Sequence, residues 1–335
     1  MVTMIVPIYN MERYLSRCVD SLLRQSCRDF EIILVNDGSS DGTAQICDRY
    51  AAQYPDLVRV LHKPNGGPSA ARNAGLDAVR GEFVIFPDPD DWVEPDYVES
   101  LLSHQRQYDA DMVCVGHYID TDEGCVVDRA DQETCILTSE QAQRGLLLPP
   151  GLQGFSWSKL YRMDIIRAHE LRFQEDLFIT EDLYFAYCYL PHCRNICYAP
   201  SVRSYHYCQS DDSITADVFS RRKLGMLYVM ERIIADCEDR DPELAQAARD
   251  VVCTSAVNLL WMLKKSDSKD PETIAYLRRC IRQTLPGYLR SGTYGNGRKI
   301  QAILAMVCPA LFMQLKNMVR KAKGYPNRQK CENDD

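Results

Sequence analysis

The chain opens with apolar runs alternating with stretches of helical spacing. Residues 2–8 form an unbroken, β-branched run that predicts a buried strand. Residues 12–25 place Leu15, Val19, Leu22 and Leu23 at helical intervals. Phe30 to Val35 predicts a second strand, the turn 36–42 leads into a helix over 43–54, and Leu57 to Leu61 predicts a third strand. Asn65-Gly66-Gly67-Pro68 is a loop, Ser69 to Val79 a short helix, and Phe83 to Phe86 a fourth strand. Continuous apolar strands separated by helices predict a mainly parallel sheet with helices on both faces. The special residues then fall in the loops after the strands, which such a sheet gathers along one edge.

The fourth strand ends in Asp88, Asp90 and Asp91. Three carboxylates on one turn repel one another unless a cation joins them, and hard divalent ions prefer carboxylate oxygen. A solvated acidic turn is the alternative reading of the same residues. Convergence of four polar loops on one crevice weakens that alternative.

Beyond residue 95 the pattern is less regular. Helices are expected over 96–103 and 139–148, and a strand over 111–118. Residues 120–133 are polar and loop-like, and 196–199 and 202–207 read as strands. From Asp217 the chain turns helical, over 218–236, 242–265, 271–285 and 298–323. The last of these puts Ile300, Ile303, Leu304, Val307, Leu311, Leu315 and Met318 on one side, with a basic end at Lys316, Arg320, Lys321 and Lys323. Its apolar part, Gln301 to Leu315, is only 15 residues and contains Pro309, so it will not span a bilayer and reads either as an interfacial helix against anionic lipid or as a packed helix. The expected organisation is an α/β domain over 1–215 and a helical extension over 216–335.

The net charge of -8 argues against nucleic acid as the main partner. Met1 to Pro7 has neither a charged n-region nor a cleavage site, so no signal peptide is expected. The 15 cysteines contain no Cys-x-x-Cys and are expected to be reduced thiols of a cytoplasmic protein. Cys188, His192, Cys193 and Cys197 have irregular spacing for a zinc site. No Gly-x-Gly-x-x-Gly follows the first strand and no phosphate-loop motif occurs, which excludes the usual dinucleotide and P-loop readings.

Four ordered blocks carry a family resemblance. They are Ile5-Val6-Pro7-Ile8-Tyr9-Asn10; Gln25 to Gly42, ending in Val35-Asn36-Asp37-Gly38-Ser39-Ser40-Asp41-Gly42; Asn65 to Gly75; and Asp88-Pro89-Asp90-Asp91. In order and spacing they resemble the family 2 glycosyltransferases. The resemblance implies a GT-A fold, a nucleotide-sugar donor such as a UDP-sugar, a divalent metal (Mn²⁺ or Mg²⁺) and inversion at the anomeric carbon. It implies that Asp37 hydrogen-bonds the uracil ring and that Pro7 and Tyr9 line the base pocket. Asp88 and Asp90 correspond to the ends of an Asp-x-Asp motif, Asp90 on the metal and Asp88 on ribose or metal-bound water. Arg72 is the cation for donor phosphates or for holding Asp90, with an ordinary ion pair as the alternative.

Thr180-Glu181-Asp182 before an aromatic helix resembles the family's late acidic motif. An inverting transfer needs one carboxylate to take the acceptor's proton, and Asp182 is preferred over Glu181 as that base. A helix N-terminus is expected to keep it ionised. Trp157 is a candidate sugar platform or else a core ring, Lys159 a candidate phosphate contact or else a surface lysine, and His206 a candidate third metal ligand or else a packed core residue. The family's arginine after its tyrosine strand is missing here, where Cys208 and Gln209 follow Tyr207.

The acceptor is expected to be a glycan or lipid-linked hydroxyl, and the location cytoplasmic, peripheral at the inner face of the plasma membrane through 298–323. Two other readings stand beside this one. The first is a nucleotide-sugar-binding protein without transfer activity. The second, a nucleotidyltransferase, lacks its Gly-rich phosphate loop.

Overall fold

The computed structural model describes residues 1–121, 124–127, 132–148, 151–209, 218–266 and 270–322. The chain divides into two compact units, Met1–Asp211 and Asp212–Asp335.

In the first unit, β1 (Val2–Ile8), β2 (Phe30–Asn36), β3 (Val58–His62) and β4 (Phe83–Ile85) are joined by α1 (Leu15–Leu23), α2 (Thr43–Gln53) and α3 (Gly67–Asp77). All four strands are parallel, in the spatial order β3-β2-β1-β4. The chain steps outward from β1 to β3, and α3 returns it to the other side of β1. The carboxyl ends of β1 and β4 therefore flank a topological switch point, where open sheets bind ligands. Alternation along β1 packs both faces. Val2, Met4, Val6 and Ile8 share a core with Leu15 and Val19 of α1 and Cys47 and Tyr50 of α2. On the opposite face, Ile5 meets α3 so closely that a Cβ on Gly75 would lie 2.4 Å from Ile5 Cγ2.

The remaining elements of this unit are β5 (Trp92–Val93), α4 (Tyr97–Tyr108), β6 (Met112–Thr121), β7 (Gly124–Val127), β8 (Cys135–Leu137), α5 (Ser139–Leu147), β9 (Lys159–Arg162), α6 (Met163–Ala168), α7 (Glu181–Tyr189) and β10 (Ile196–Cys208). They extend the sheet as β4-β9-β6-β10-β5. Here the sheet departs from the parallel expectation. β9 lies antiparallel between β4 and β6, and β5 is antiparallel to β10. The Phe155–Tyr161 stretch had no strand signal, because β9 is four residues long and its pattern is set by neighbours on both sides. The two strands expected over 196–207 are one bulged strand, with register shifts between Ala199 and His206 against β6.

The second unit is helical: α8 (Gly225–Cys237), α9 (Pro242–Lys265), α10 (Pro271–Arg290), α11 (Asn296–Val307) and α12 (Pro309–Ala322). Asp241 and Asp270 cap α9 and α10 through side-chain bonds from Leu244 and Thr273 N–H, with Pro at the first turn of each. The helix expected over 298–323 is two helices. Cys308 leaves helical geometry (φ -143°, ψ 77°) because Pro309 disfavours the α conformation before it. No helix among the described residues is long and apolar enough to cross a membrane.

Candidate active site

The loops at the switch point hold one another before any ligand is considered. Asp37 follows β2 and is buried. Its carboxylate accepts from Lys63 Nζ at 2.6 Å, from Gly66 N–H at 3.0 Å and from Gly67 N–H at 2.7 Å. The adjacent Gly38 has φ +74°, and a Cβ there would lie 2.7 Å from Asn65 N. Only glycine lets the two loops approach this closely. Three donors leave the Asp37 carboxylate about one further acceptor position. Pro7 is buried at the end of β1, where its missing N–H is tolerated beyond the short β4 partner. Tyr9, two residues on, is 48% exposed at the mouth.

The acidic turn is braced from two sides. Tyr205 of β10 accepts from the Asp88 N–H at 3.1 Å and donates to Asp91 Oδ2 at 2.6 Å. Asp91 Oδ1 also accepts from Cys208 N–H at 2.8 Å. From α1, Arg17 Nη2 donates to the Asp90 carbonyl at 2.5 Å and contacts Cys208 Sγ at 3.2 Å. Asp91, given no role beyond the turn by sequence, is a buried anchor of that turn. Tyr205 and Arg17 were missed as well. They reach the turn from positions 117 and 73 residues away, a distance no local pattern encodes.

Arg72 joins this turn to the second acidic motif. It is buried in α3, with Nη1 donating to Glu181 Oε1 at 2.6 Å and Nη2 to Asp88 Oδ1 at 3.2 Å. Its guanidinium lies over the Phe173 ring, 5.3 Å from the centroid. The ion-pair reading of Arg72 is thus observed, with Asp88 rather than Asp90 as its partner on the turn. Two further contacts carry α7 to this place. Asn73 Nδ2 donates to Phe173 O and its Oδ1 accepts from Phe173 N, both at 2.9 Å, pinning the segment before α7 to α3. Phe86 packs edge-on against Phe173 and Phe185, which stack at 4.1 Å.

Thr180, which precedes α7, sits at φ +66°, a strained conformation for a β-branched residue. Glu181 and Asp182 follow in the first turn. The helix terminus does not decide the state of Asp182. Burial, with Glu181 beside it, pushes its carboxyl up to about 6, against the pull of Arg72 and the Leu183 N–H. Burial likewise pushes Asp88 up to about 7. Arg72 opposes this shift, and Asp90, Asp182 and Glu181 add to it. Asp90 and Asp91 are raised in the same direction, chiefly by burial. On the turn, Asp88, Asp90 and Asp91 are all disfavoured as anions, and a cation there would stabilise them. The donor set is all oxygen, as a hard divalent ion requires, and Asp90 carries no side-chain hydrogen bond from another described residue. Asp88 and Asp90 therefore fit such an ion.

Three expected site residues are buried in the fold. Lys159 is fully buried in β9, with Nζ on the carbonyls of Phe155 (2.5 Å) and Leu152 (3.5 Å). Its charge also acts on the Asp182 carboxyl, whose ionised form it favours. Trp157 is buried, with its ring stacked between Phe155 (4.9 Å) and Tyr205 (4.3 Å). It is a core ring supporting Tyr205 rather than a sugar platform. His206 faces Asp120 and Glu94, and no contact joins it to Asp88 or Asp90. Cys188, His192, Cys193 and Cys197 form no metal-type cluster among the described residues.

Comparison with known proteins bears on this geometry. Residues 3–167 match the model of glycosyl transferase family 2. EpsH of Bacillus subtilis (strain 168), provisionally described as a glycosyltransferase, is 36% identical over 209 residues, covering 62% of this chain and 60% of EpsH. EpsJ of the same organism, an uncharacterized glycosyltransferase, is 35% identical over 193 residues, covering 54% of each. The chain thus spans little more than half the length of these relatives. Residues 1–349 of S. aureus TarS, crystallised with UDP-GlcNAc, share the fold with a TM-score of 0.66. That likeness covers 98% of this chain and 93% of the TarS chain at 20% identity. Residues 3–167 of this chain are thus similar to glycosyl transferase family 2, and the sheet that they help to build is GT-A-like.

Proposed function

We propose that this chain is an inverting, metal-dependent glycosyltransferase that moves a sugar from a UDP-sugar to a hydroxyl of a glycan or lipid-linked acceptor. The observation that carries the reading is Arg72. It ties the acidic turn at the donor end of the crevice to the carboxylates at the start of α7. A donor clamp and a general base are the two parts such a transfer needs, and one buried guanidinium fixes their spacing.

In this reading Pro7, Tyr9 and the free acceptor position of Asp37 receive the base. TarS, which shares the fold, was crystallised with UDP and with UDP-GlcNAc, in keeping with this choice of donor. Asp90 and Asp88 would hold the Mn²⁺ or Mg²⁺, which would supply positive charge to neutralise the diphosphate and the leaving UDP. Asp182 takes the acceptor's proton through Oδ2, since Oδ1 already accepts from the Leu183 N–H at 2.7 Å. Glu181, held by Arg72, positions the helix start and keeps a second negative charge beside the base. Trp157 and Tyr205 keep the turn rigid from behind. A panel of UDP-sugars assayed for UDP release, followed by NMR of the product's anomeric centre, tests the reading. Retention of configuration would refute the single-displacement mechanism.

Contact with a membrane surface is a part of this proposal that rests on the second unit alone. Ile300, Ile303 and Val307 share one side of α11 and are exposed, Val307 at 72%, and Leu311 and Met318 of α12 are exposed too. Lys316, counted in the basic end, instead bonds Asn258 and Gln301, and the side chains of Arg320, Lys321 and Lys323 lie outside the described residues. The apolar side chains therefore carry this part of the proposal.

A further inference from the structure

We propose that Asp120, Cys125 and His206 form a zinc-type cation site at the far edge of the sheet, sharing no ligand with the acidic turn. Sheet register brings them together. Asp120 and Cys125 are directly opposed on the β6–β7 antiparallel pair, so their side chains leave the same face. His206 pairs with Tyr118 on the other flank of β6, two residues from Asp120 and therefore on that face as well. One ligand atom from each of the three residues lies within 4.8 Å of the others. A nitrogen, a sulfur and an oxygen donor suit Zn²⁺ better than the all-oxygen preference of Mg²⁺ or Mn²⁺.

The surroundings are arranged as an outer shell. His206 is buried between Trp92, ring to ring at 3.5 Å, and Tyr118 at 4.7 Å, which fixes the imidazole plane. Its Nε2 faces Glu94 Oε1 at 3.2 Å, the carboxylate–histidine relation that sets the tautomer of metal-bound imidazoles. With that proton on Nε2, Nδ1 presents a lone pair to Asp120 oxygens at 3.1 and 3.2 Å. In that tautomer a cation between Nδ1 and the Asp120 oxygens would satisfy both acceptors. The Asp120 carboxylate is itself oriented by Trp92 Nε1–H at 2.8 Å. Cys125 is exposed and completes the site from the hairpin. Binding would release its thiol proton to solvent. The cation would lock the hairpin to β10 next to Tyr205, the residue that braces the acidic turn.

The test uses the full chain stripped of metal and then titrated with Zn²⁺ and with Co²⁺ as a spectroscopic substitute. Stoichiometric Zn²⁺ uptake and a thiolate-to-cobalt charge-transfer band are expected. Cys125→Ser should abolish the band, His206→Gln should abolish uptake, and Glu94→Gln should weaken affinity about 10–100-fold. Asp90→Ala should leave all of these readouts unchanged, which separates this site from the proposed donor metal. Cys125 is exposed, so its serine variant should fold normally, as circular dichroism would verify. Sub-stoichiometric uptake, a band that survives Cys125→Ser, or loss of the band in Asp90→Ala would each overturn the proposal. So would NMR of His206 with protons on both ring nitrogens in zinc-treated protein.

Discussion

Arg72 and Glu181 are 109 residues apart in sequence and 2.6 Å apart in space, and both are buried. The same guanidinium reaches Asp88. Removing it would leave two acids facing each other across a low-dielectric gap. Arg72→Met should therefore lower unfolding stability by about 3–5 kcal/mol, the usual result of deleting one partner of a buried pair. Arg72→Lys keeps the charge but not the two-pronged reach, so it should rescue stability only in part. Urea midpoints of the two variants check this, and equal midpoints for wild type and Arg72→Met would contradict it.

Tyr205→Phe removes one hydroxyl that serves two bonds, to the Asp88 N–H and to Asp91. Leaving the half-buried Asp88 N–H and the buried Asp91 Oδ2 without this partner should cost about 1–3 kcal/mol per group. Because the ring stack with Trp157 remains, the fold should survive, and the loss should appear mainly as a higher metal requirement for UDP release. An unchanged metal dependence would show that the hydroxyl does not hold the turn.

The raised Asp182 carboxyl gives a pH dependence of known sign. A general base must be ionised, so kcat should fall on the acid side of about 6. Asp182→Asn should lower kcat by about 10²- to 10⁴-fold and remove this limb, with UDP binding nearly intact. Stability moves the other way. Between the ordinary carboxyl range and about 6 the native state binds the extra proton, so Asp182 favours folding at lower pH and loses that contribution as pH rises through about 6. A kcat profile flat to pH 5, or collapsed donor binding in Asp182→Asn, would remove the base assignment.

Val307→Glu combined with Met318→Glu places two charges on exposed apolar positions of α11 and α12. Flotation with anionic lipid vesicles should fall from substantial to near background in this variant, with its circular dichroism unchanged. Equal flotation of both proteins, or none by the wild type, would remove membrane contact from the proposal.

Much of the crevice could be read from the chain because its parts are local. The parallel β1–β4 region, the loop at Asp37 and the turn at Asp88–Asp91 each lie in a continuous stretch where strand, turn and helix signals agree. The connections between them could not be read. Lys159 looks like a surface cation by type, yet β9 is inserted between β4 and β6, which buries it. His206 looked like a ligand for the turn, but β5 and β6 surround it with Trp92, Tyr118, Asp120 and Glu94. Tyr205 and Asp91 were adjacent to recognised residues without being assigned, since their bond depends on how β10 meets the turn. Pairing across more than a hundred residues has no periodic signature in the chain.

The central claim is that the Asp88–Asp91 turn clamps a sugar nucleotide through a divalent cation. UDP release from UDP-sugars, with Mn²⁺ or Mg²⁺ and then with excess EDTA, for wild type and Asp90→Ala, tests it most directly. The account predicts turnover that needs the metal, stops with EDTA and is lost in Asp90→Ala while the variant stays folded. Turnover that persists in EDTA, or full activity in Asp90→Ala, would contradict it.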